Sequence, residues 1–83
     1  MTFRKSRYQT MNEIRFDSEY ITLGQLLKMT GAIDSGGMAR PFLQMNTVFV
    51  NGEAEDRRGK KLRTGDVVLI PEHGKFKLIG PEA

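Results

Sequence analysis

The chain has 83 residues, a formal net charge of +3 and no cysteine, with 39% hydrophobic and 28% charged residues. These values predict one small globular domain and exclude a disulfide framework, a thiolate zinc site and a cysteine nucleophile. No stretch approaches the roughly 20 apolar residues of a membrane span, and no signal-peptide pattern occurs, so we expect a cytoplasmic protein without a membrane partner.

The first eleven residues differ in pattern from the rest of the chain. They contain three basic residues but no periodic apolar pattern. We predict that residues 1–11 form a disordered extension in front of a single domain spanning residues 12–80. The alternative is a basic arm that becomes ordered on a partner, with Phe3 and Tyr8 available for stacking.

A strand and a well-marked helix open the predicted domain. The alternation of apolar and charged residues around Ile14 predicts a short strand. Thr22 and Gln25 have the spacing of a capping box, and Gly31 is a suitable residue for ending a helix. These signals predict a first helix over residues 23–30.

A second helix is predicted to follow, with Ser35 as its N-cap and Asn46 at its end. Pro41 conflicts with a helix that begins at Ser35, because a proline inside a helix removes a backbone hydrogen bond. Either the regular helix begins near Arg40, with Pro41 in its first turn, or the helix bends.

The second half of the chain has the patterns of strands and tight turns. Four strands are predicted, at residues 47–50, 53–55, 67–70 and 76–79. Asn51 and Gly52 predict a type I′ hairpin turn, and Asp66 is predicted to fix a turn through its side chain. The fold class is therefore α+β, with two short helices (helix-turn-helix-like) packed on a small, mostly antiparallel sheet of four to five strands.

The most distinctive stretch is residues 57–63, which we call the basic loop. It carries five positive charges and no acid, at Arg57, Arg58, Lys60, Lys61 and Arg63. Clustered cations attract polyanions, and the nearby acids precede the run, so we predict that the loop binds RNA phosphates. Engagement of all five cations predicts a log–log salt slope of about −3.5 for single strands and −4.5 for duplexes. The alternative is a solvated loop that is basic for solubility.

A second phosphate site is predicted at the start of the second helix. Ser35, Gly36 and Gly37 would present backbone N–H groups and a hydroxyl, and Arg40 lies about one turn further on. The alternative is that these residues only cap the helix and permit the turn. Lys28 and Gln44 are predicted as flanking contacts.

Nothing in the sequence indicates catalysis, a metal site or a cofactor. His73 is the sole histidine, so it lacks the partner ligands that a metal site needs. No nucleotide-binding or nucleophile motif occurs.

Several segments together resemble a known family, the RNA-binding domain named after small-subunit ribosomal protein S4. The segments that carry the resemblance are residues 20–28, Gly31, residues 35–40, 48–52, 57–62 and 65–68. The Ser-Gly-Gly and Arg-Arg-Gly-Lys-Lys elements are similar to the small stand-alone bacterial YaaA subgroup. The resemblance covers about residues 12–70.

The resemblance implies an α-α-β module that grips structured RNA, often ribosomal RNA or tRNA. It implies that Ser35 and Arg40, together with the loop residues Arg57, Arg58, Lys60 and Lys61, face the RNA. We therefore predict a monomeric, non-catalytic protein that binds ribosomal RNA or a ribosome assembly intermediate and takes no small-molecule substrate. The alternatives are a DNA-binding helix-turn-helix over residues 22–46 and an adaptor whose basic face meets an acidic protein.

Overall fold

The computed structural model describes residues 11–81, which form seven strands, two α-helices and one 3₁₀ helix. The strands are β1 (Asn12–Arg15), β2 (Ile21–Thr22), β3 (Val48–Val50), β4 (Glu53–Glu55), β5 (Lys61–Leu62), β6 (Val67–Ile70) and β7 (Gly74–Ile79). The α-helices are α1 (Leu23–Met29) and α2 (Ala39–Met45), and the 3₁₀ helix (Gly36–Met38) immediately precedes α2. Within this part of the chain, neither α-helix is long and apolar enough to cross a membrane. The predicted disordered extension lies, apart from Met11, outside the described residues.

Five strands form one mixed sheet in the order β1-β7-β6-β3-β4. Strand β1 runs parallel to β7, whereas the other neighbouring pairs are antiparallel. The predicted α+β class is confirmed, including the pairing of the last two strands. The parallel position of β1 beside β7 is an addition, because pairing between the two ends of a domain leaves no local sequence signal.

Alternation along the strands gives the sheet one buried face and one exposed face. The buried face packs against the helices through Val48, Val50, Val68, Ile70, Phe76 and Leu78. The helices and their connection contribute Leu23, Leu26, Leu27, Ile33, Ala39 and Leu43 to this core. Lys75 and Lys77 alternate with the buried residues of β7, so they lie on the exposed outer face of the sheet, away from the helices.

Helix α1 begins and ends close to the positions that the sequence predicts. Thr22 Oγ1 accepts a hydrogen bond from the Gln25 N–H at 3.2 Å, and Gln25 Oε1 accepts one from the Thr22 N–H at 2.8 Å. The predicted capping box is thus confirmed. Gly31 follows the helix with a φ of 83°, and its N–H donates to the Lys28 carbonyl at 3.1 Å, as in a Schellman end.

The start of α2 differs from the prediction that Ser35 caps it. Ser35 precedes the 3₁₀ helix and makes no side-chain capping hydrogen bond there, and the α-helix begins four residues later. Pro41 is the third residue of α2, where the missing N–H would have no helical partner, so the first of the two alternatives is correct. Asn46 ends α2 as predicted, and its side chain donates to the Phe42 carbonyl at 3.1 Å.

The predicted turn residues join the basic loop to the sheet. Asn51 and Gly52 have φ values of 52° and 87°, as a type I′ turn requires. Asn51 Oδ1 accepts from the Val67 N–H at 3.0 Å, and its Nδ2 donates to Asp66 Oδ1 at 3.1 Å. Asp66 Oδ2 accepts from the Arg63 N–H at 2.9 Å, so the end of the basic loop has a fixed backbone.

A small ribbon formed by β2 and β5 is absent from the predicted fold. Ile21 pairs with Leu62, and both side chains are buried. The basic loop is therefore partly a strand whose one apolar residue enters the core. A two-residue strand is too short to show an alternating pattern, which explains why the sequence predicted only a loop there.

Candidate RNA-binding surface

The basic loop is attached to the N-terminus of α1 by backbone hydrogen bonds. The Leu23 N–H donates to the Lys60 carbonyl, and the Gly24 N–H donates to the Arg58 carbonyl, each at 2.9 Å. The first N–H groups of a helix have no partner within the helix, so these carbonyls satisfy them. The Lys60 N–H also donates to the Arg57 carbonyl at 3.1 Å, which closes a turn at the tip of the loop.

Gly24 allows the loop to approach the helix closely. A Cβ atom at this position would lie 3.4 Å from the Arg58 carbonyl oxygen and 3.6 Å from the Ala39 Cβ. The first turn of α1 is therefore packed against the loop on one side and the start of α2 on the other. A side chain larger than that of alanine would have to displace one of them.

A groove of about 240 Å³ lies where the basic loop, α1 and the 3₁₀ helix meet. We call it the loop–helix groove, and its lining residues are Thr22, Gly24, Gln25, Lys28, Gly36, Ala39 and Arg58. Three residues predicted to bind RNA, namely Lys28, Gly36 and Arg58, are thus brought together around one opening. Lys28 and Arg58 are exposed, so both cations border the groove and face solvent.

Arg57 is the exception among the loop cations, because it is bound to a carboxylate. Its Nε and Nη2 donate to the two carboxylate oxygens of Glu55 at 2.8 and 3.1 Å, and its N–H donates to Glu55 Oε2 at 3.0 Å. These hydrogen bonds hold the pKa of Glu55 at about 2, although its burial opposes the shift. An acid that precedes the basic loop in the sequence therefore still binds one of the loop cations.

The other four cations of the basic loop make no ion pair with a carboxylate in the described chain. Within residues 11–81, the ion pairs are those of Arg57 with Glu55 and of Arg15 with Glu13. Arg58, Lys61 and Arg63 are exposed and Lys60 is half-buried. The basic loop therefore carries four cations that are available to bind an anion.

The residues predicted on and before the second helix form a separate group. Arg40 and Gln44 are exposed and lie one turn apart on α2, and Ser35 and Gly37 are exposed at the 3₁₀ helix. In the described part of the chain, Gly36 is the member of this predicted set that lines the loop–helix groove. The sequence predicted two phosphate sites, and the groove places Gly36 of the second site beside Arg58 of the basic loop.

Tyr20 is a surface residue that the sequence prediction did not include. Its ring lies 5.0 Å from Lys61 Nζ and 5.6 Å from Arg63 Cζ, both measured to the ring centroid. The ribbon of β2 and β5 brings these residues together, and without that pairing the sequence gives no reason to associate them. His73 instead packs edge-on against Phe42, with ring centroids 6.3 Å apart. No cluster of three or more potential metal ligands occurs within residues 11–81.

Comparisons with known proteins identify the family of this chain. The family model of the S4 domain matches residues 14–79. A protein of Bacillus subtilis (strain 168) named "Probable ribosome maturation protein RlbA" is 52% identical over 68 residues, which cover 82% of this chain and 96% of that protein. The resemblance noted in the sequence is confirmed, and the chain belongs to the S4 domain family.

Proposed function

We propose that this protein binds structured ribosomal RNA, as a non-catalytic cytoplasmic monomer that acts during ribosome maturation. Membership of the S4 domain family and the name of the Bacillus subtilis relative support a ribosomal role. The exposed cations beside the loop–helix groove support phosphate binding.

The observation that carries the proposal is the attachment of the basic loop to α1. Because the carbonyls of Arg58 and Lys60 accept hydrogen bonds from the first turn of α1, the loop backbone is held in place before RNA arrives. A surface that is already ordered loses less conformational entropy on binding than a flexible basic tail does. The arrangement therefore favours a specific RNA interface over a loop that is basic for solubility.

In the proposed complex, phosphates of the RNA approach the loop and the groove from the same side. Arg58 and Lys28 bind phosphates at the groove, and Arg58 can use two parallel N–H groups. Lys60, Lys61 and Arg63 extend the positive surface along the loop. Phosphate contacts position an RNA without reading its sequence, so discrimination comes from the shape of the folded RNA.

The α2 surface supplies a second set of contacts in this proposal. Arg40 and Gln44 meet the RNA backbone beside the groove, and Ser35, Gly36 and Gly37 allow it to approach the 3₁₀ helix closely. Arg57 contributes less than its neighbours, because RNA has to compete with Glu55 for its guanidinium group.

Two charge-reversal variants with the same net charge test the proposal. The loop variant is Arg58→Glu with Lys61→Glu, and the control is Lys75→Glu with Lys77→Glu on the outer face of the sheet. We expect the loop variant to bind folded ribosomal RNA at least about 100-fold more weakly at low salt, and the control to lose less than about tenfold. Titrations against a folded ribosomal RNA fragment and against duplex DNA at matched salt measure both effects.

Equal losses in the two variants would mean that only net charge matters, and would contradict the proposed interface. Tighter binding of duplex DNA than of folded RNA would favour the helix-turn-helix alternative. Unfolding curves of both variants check that the fold is retained.

A further inference from the structure

The β2–β5 ribbon has an outer face that combines one aromatic ring with two cations. Ile21 and Leu62 face each other on the buried side of the ribbon, with 7% and 0% of their surfaces exposed. Side chains alternate along strands, so the neighbours of these two residues point to the opposite side. Tyr20, Lys61 and Arg63 therefore share the side that faces solvent.

The positions of these three side chains agree with that alternation. Lys61 Nζ and Arg63 Cζ lie 5.0 and 5.6 Å from the centroid of the Tyr20 ring, within the range of cation–π contacts. Tyr20 is half-buried, and the cations beside it are exposed. The chain before the ring is also ordered locally, since Ser18 Oγ donates to the Tyr20 carbonyl at 2.8 Å.

This combination of groups suits one particular part of an RNA molecule. Aromatic rings and guanidinium planes stack on nucleobases, and ammonium and guanidinium groups pair with phosphates. In a paired A-form stem the bases are stacked inside the helix, where a surface side chain cannot reach their faces. Lys61 and Arg63 lie over the Tyr20 ring. A base that has left the helix can therefore stack on this ring once Lys61 turns to a flanking phosphate, with the Arg63 guanidinium plane next to it.

We propose that Tyr20, Lys61 and Arg63 form a site for an unpaired nucleotide of the bound RNA. The inference rests on the proposed function and extends it. The phosphate contacts of the basic loop do not distinguish paired from unpaired nucleotides, whereas this site does. Tyr20 supplies the stacking surface, Arg63 adds its guanidinium plane, and Lys61 pairs with a flanking phosphate. The ribbon holds the site next to the basic loop, so one RNA can engage both.

Two RNA hairpins with the same stem separate the site from the phosphate contacts. One hairpin is fully paired, and the other carries a single bulged adenosine. We expect the wild-type protein to bind the bulged hairpin about tenfold more tightly at matched salt, because one additional base stacks on an aromatic side chain of the protein. Tyr20→Leu should abolish this preference while it leaves the affinity for the paired hairpin within about twofold, and Tyr20→Phe should retain the preference.

A spectroscopic measurement covers the case in which Tyr20→Leu does not fold. The chain has two tyrosines and no tryptophan, so Tyr8→Phe leaves Tyr20 as the sole tyrosine fluorophore. We expect its fluorescence to be quenched by the bulged hairpin and not by the paired one.

Equal quenching by both hairpins, or an equal affinity of wild type for both, would overturn the unpaired-nucleotide site. If Tyr20→Leu weakened binding to both hairpins equally, Tyr20 would only position the cations, and the inference would fail. In each of these cases salt-sensitive binding of the paired hairpin would still support the proposed function. Absence of binding to either RNA at low salt would contradict both.

Discussion

At the residue scale, the Glu55–Arg57 pair reduces the number of loop cations that are free to bind an anion. Glu55 accepts three hydrogen bonds from Arg57, and 11% of its side-chain surface is exposed, compared with 70% for Arg57. The carboxylate is thus shielded and the guanidinium remains accessible at its edge. The pair fixes the start of the basic loop at the end of β4, and it removes one charge from the five that the sequence displays.

The pair predicts a loss of stability in acid. The folded-state pKa of Glu55 is lowered from 4.5 to about 2. A carboxylate with a lowered pKa contributes stability above its unfolded pKa, and this contribution is lost as the pH falls toward the folded pKa. The free energy of unfolding should therefore decrease between about pH 5 and pH 2, and Glu55→Gln should reduce this decrease.

Urea unfolding at several pH values measures the effect. Glu53→Gln is the matched control, because Glu53 lies on the same strand with an exposed side chain. A Glu55→Gln variant with the same pH dependence as wild type would show that the pair does not stabilise the fold.

At the element scale, the first turn of α1 serves the helix and the loop together. The Thr22 side chain satisfies one N–H group of this turn, and loop carbonyls satisfy the two before it. The element that begins the helix is therefore also the support of the candidate RNA-binding surface. Gly24 lies at this junction, with Arg58 and Ala39 on either side.

A change of shape at Gly24 should reduce RNA affinity without any change of charge. Gly24→Ala places its methyl group at ordinary contact distance, and it gains up to about 1 kcal/mol of helix propensity, so we expect wild-type binding and equal or greater stability. Gly24→Val adds two further carbons that must displace the loop, so we expect at least about a tenfold loss of affinity. RNA titration and thermal unfolding compare the two variants. Wild-type affinity in Gly24→Val would show that the attachment of the loop to α1 is unimportant for binding.

The elements also show what a single sequence reveals and what it does not. The capping box of Thr22, the end at Gly31 and the turn at Asn51 were predicted because each signal lies within a few adjacent residues. The ribbon, the pairing of Arg57 with Glu55 and the attachment of the loop to α1 were not predicted. Ribbon pairing and loop attachment depend on contacts that the fold creates between distant segments, and the ion pair depends on a local geometry that spacing does not specify. The start of α2 was predicted in part. Pro41 allowed either a helix that begins near Arg40 or a bent helix that begins at Ser35, and in the structure a 3₁₀ helix precedes an α-helix that begins at Ala39.

At the scale of the whole molecule, charge is divided between two faces with different surroundings. The helix side carries the basic loop and the loop–helix groove, and the outer face of the sheet carries Lys75 and Lys77. The net charge of +3 does not describe this division. It also does not show which cations are paired, as Arg57 is with Glu55 and Arg15 is with Glu13. Binding should therefore depend on which cations are free and not on their total number.

The salt dependence of the affinity reports how many RNA phosphates the protein neutralises, because each neutralised phosphate releases counterions. Each phosphate contact contributes about 0.7 to 0.9 to the log–log slope, so Arg58→Gln should reduce the magnitude of the slope by that amount. Replacing the neutral pair by Glu55→Gln with Arg57→Gln should leave the slope nearly unchanged. Titrations from 50 to 200 mM salt provide the comparison. An equal reduction in both variants would show that RNA displaces Glu55 and engages Arg57 fully.

Crosslinking in cells tests directly whether the basic loop binds ribosomal RNA. Ultraviolet crosslinking and sequencing of the RNA bound to wild type, to Arg58→Glu with Lys61→Glu, and to Lys75→Glu with Lys77→Glu tests target and surface together. We expect ribosomal RNA, enriched at defined positions, with wild type and with the Lys75→Glu, Lys77→Glu variant, and loss of that signal with the Arg58→Glu, Lys61→Glu variant. A wild-type signal without ribosomal RNA, or a ribosomal signal that survives in the loop variant, would contradict it.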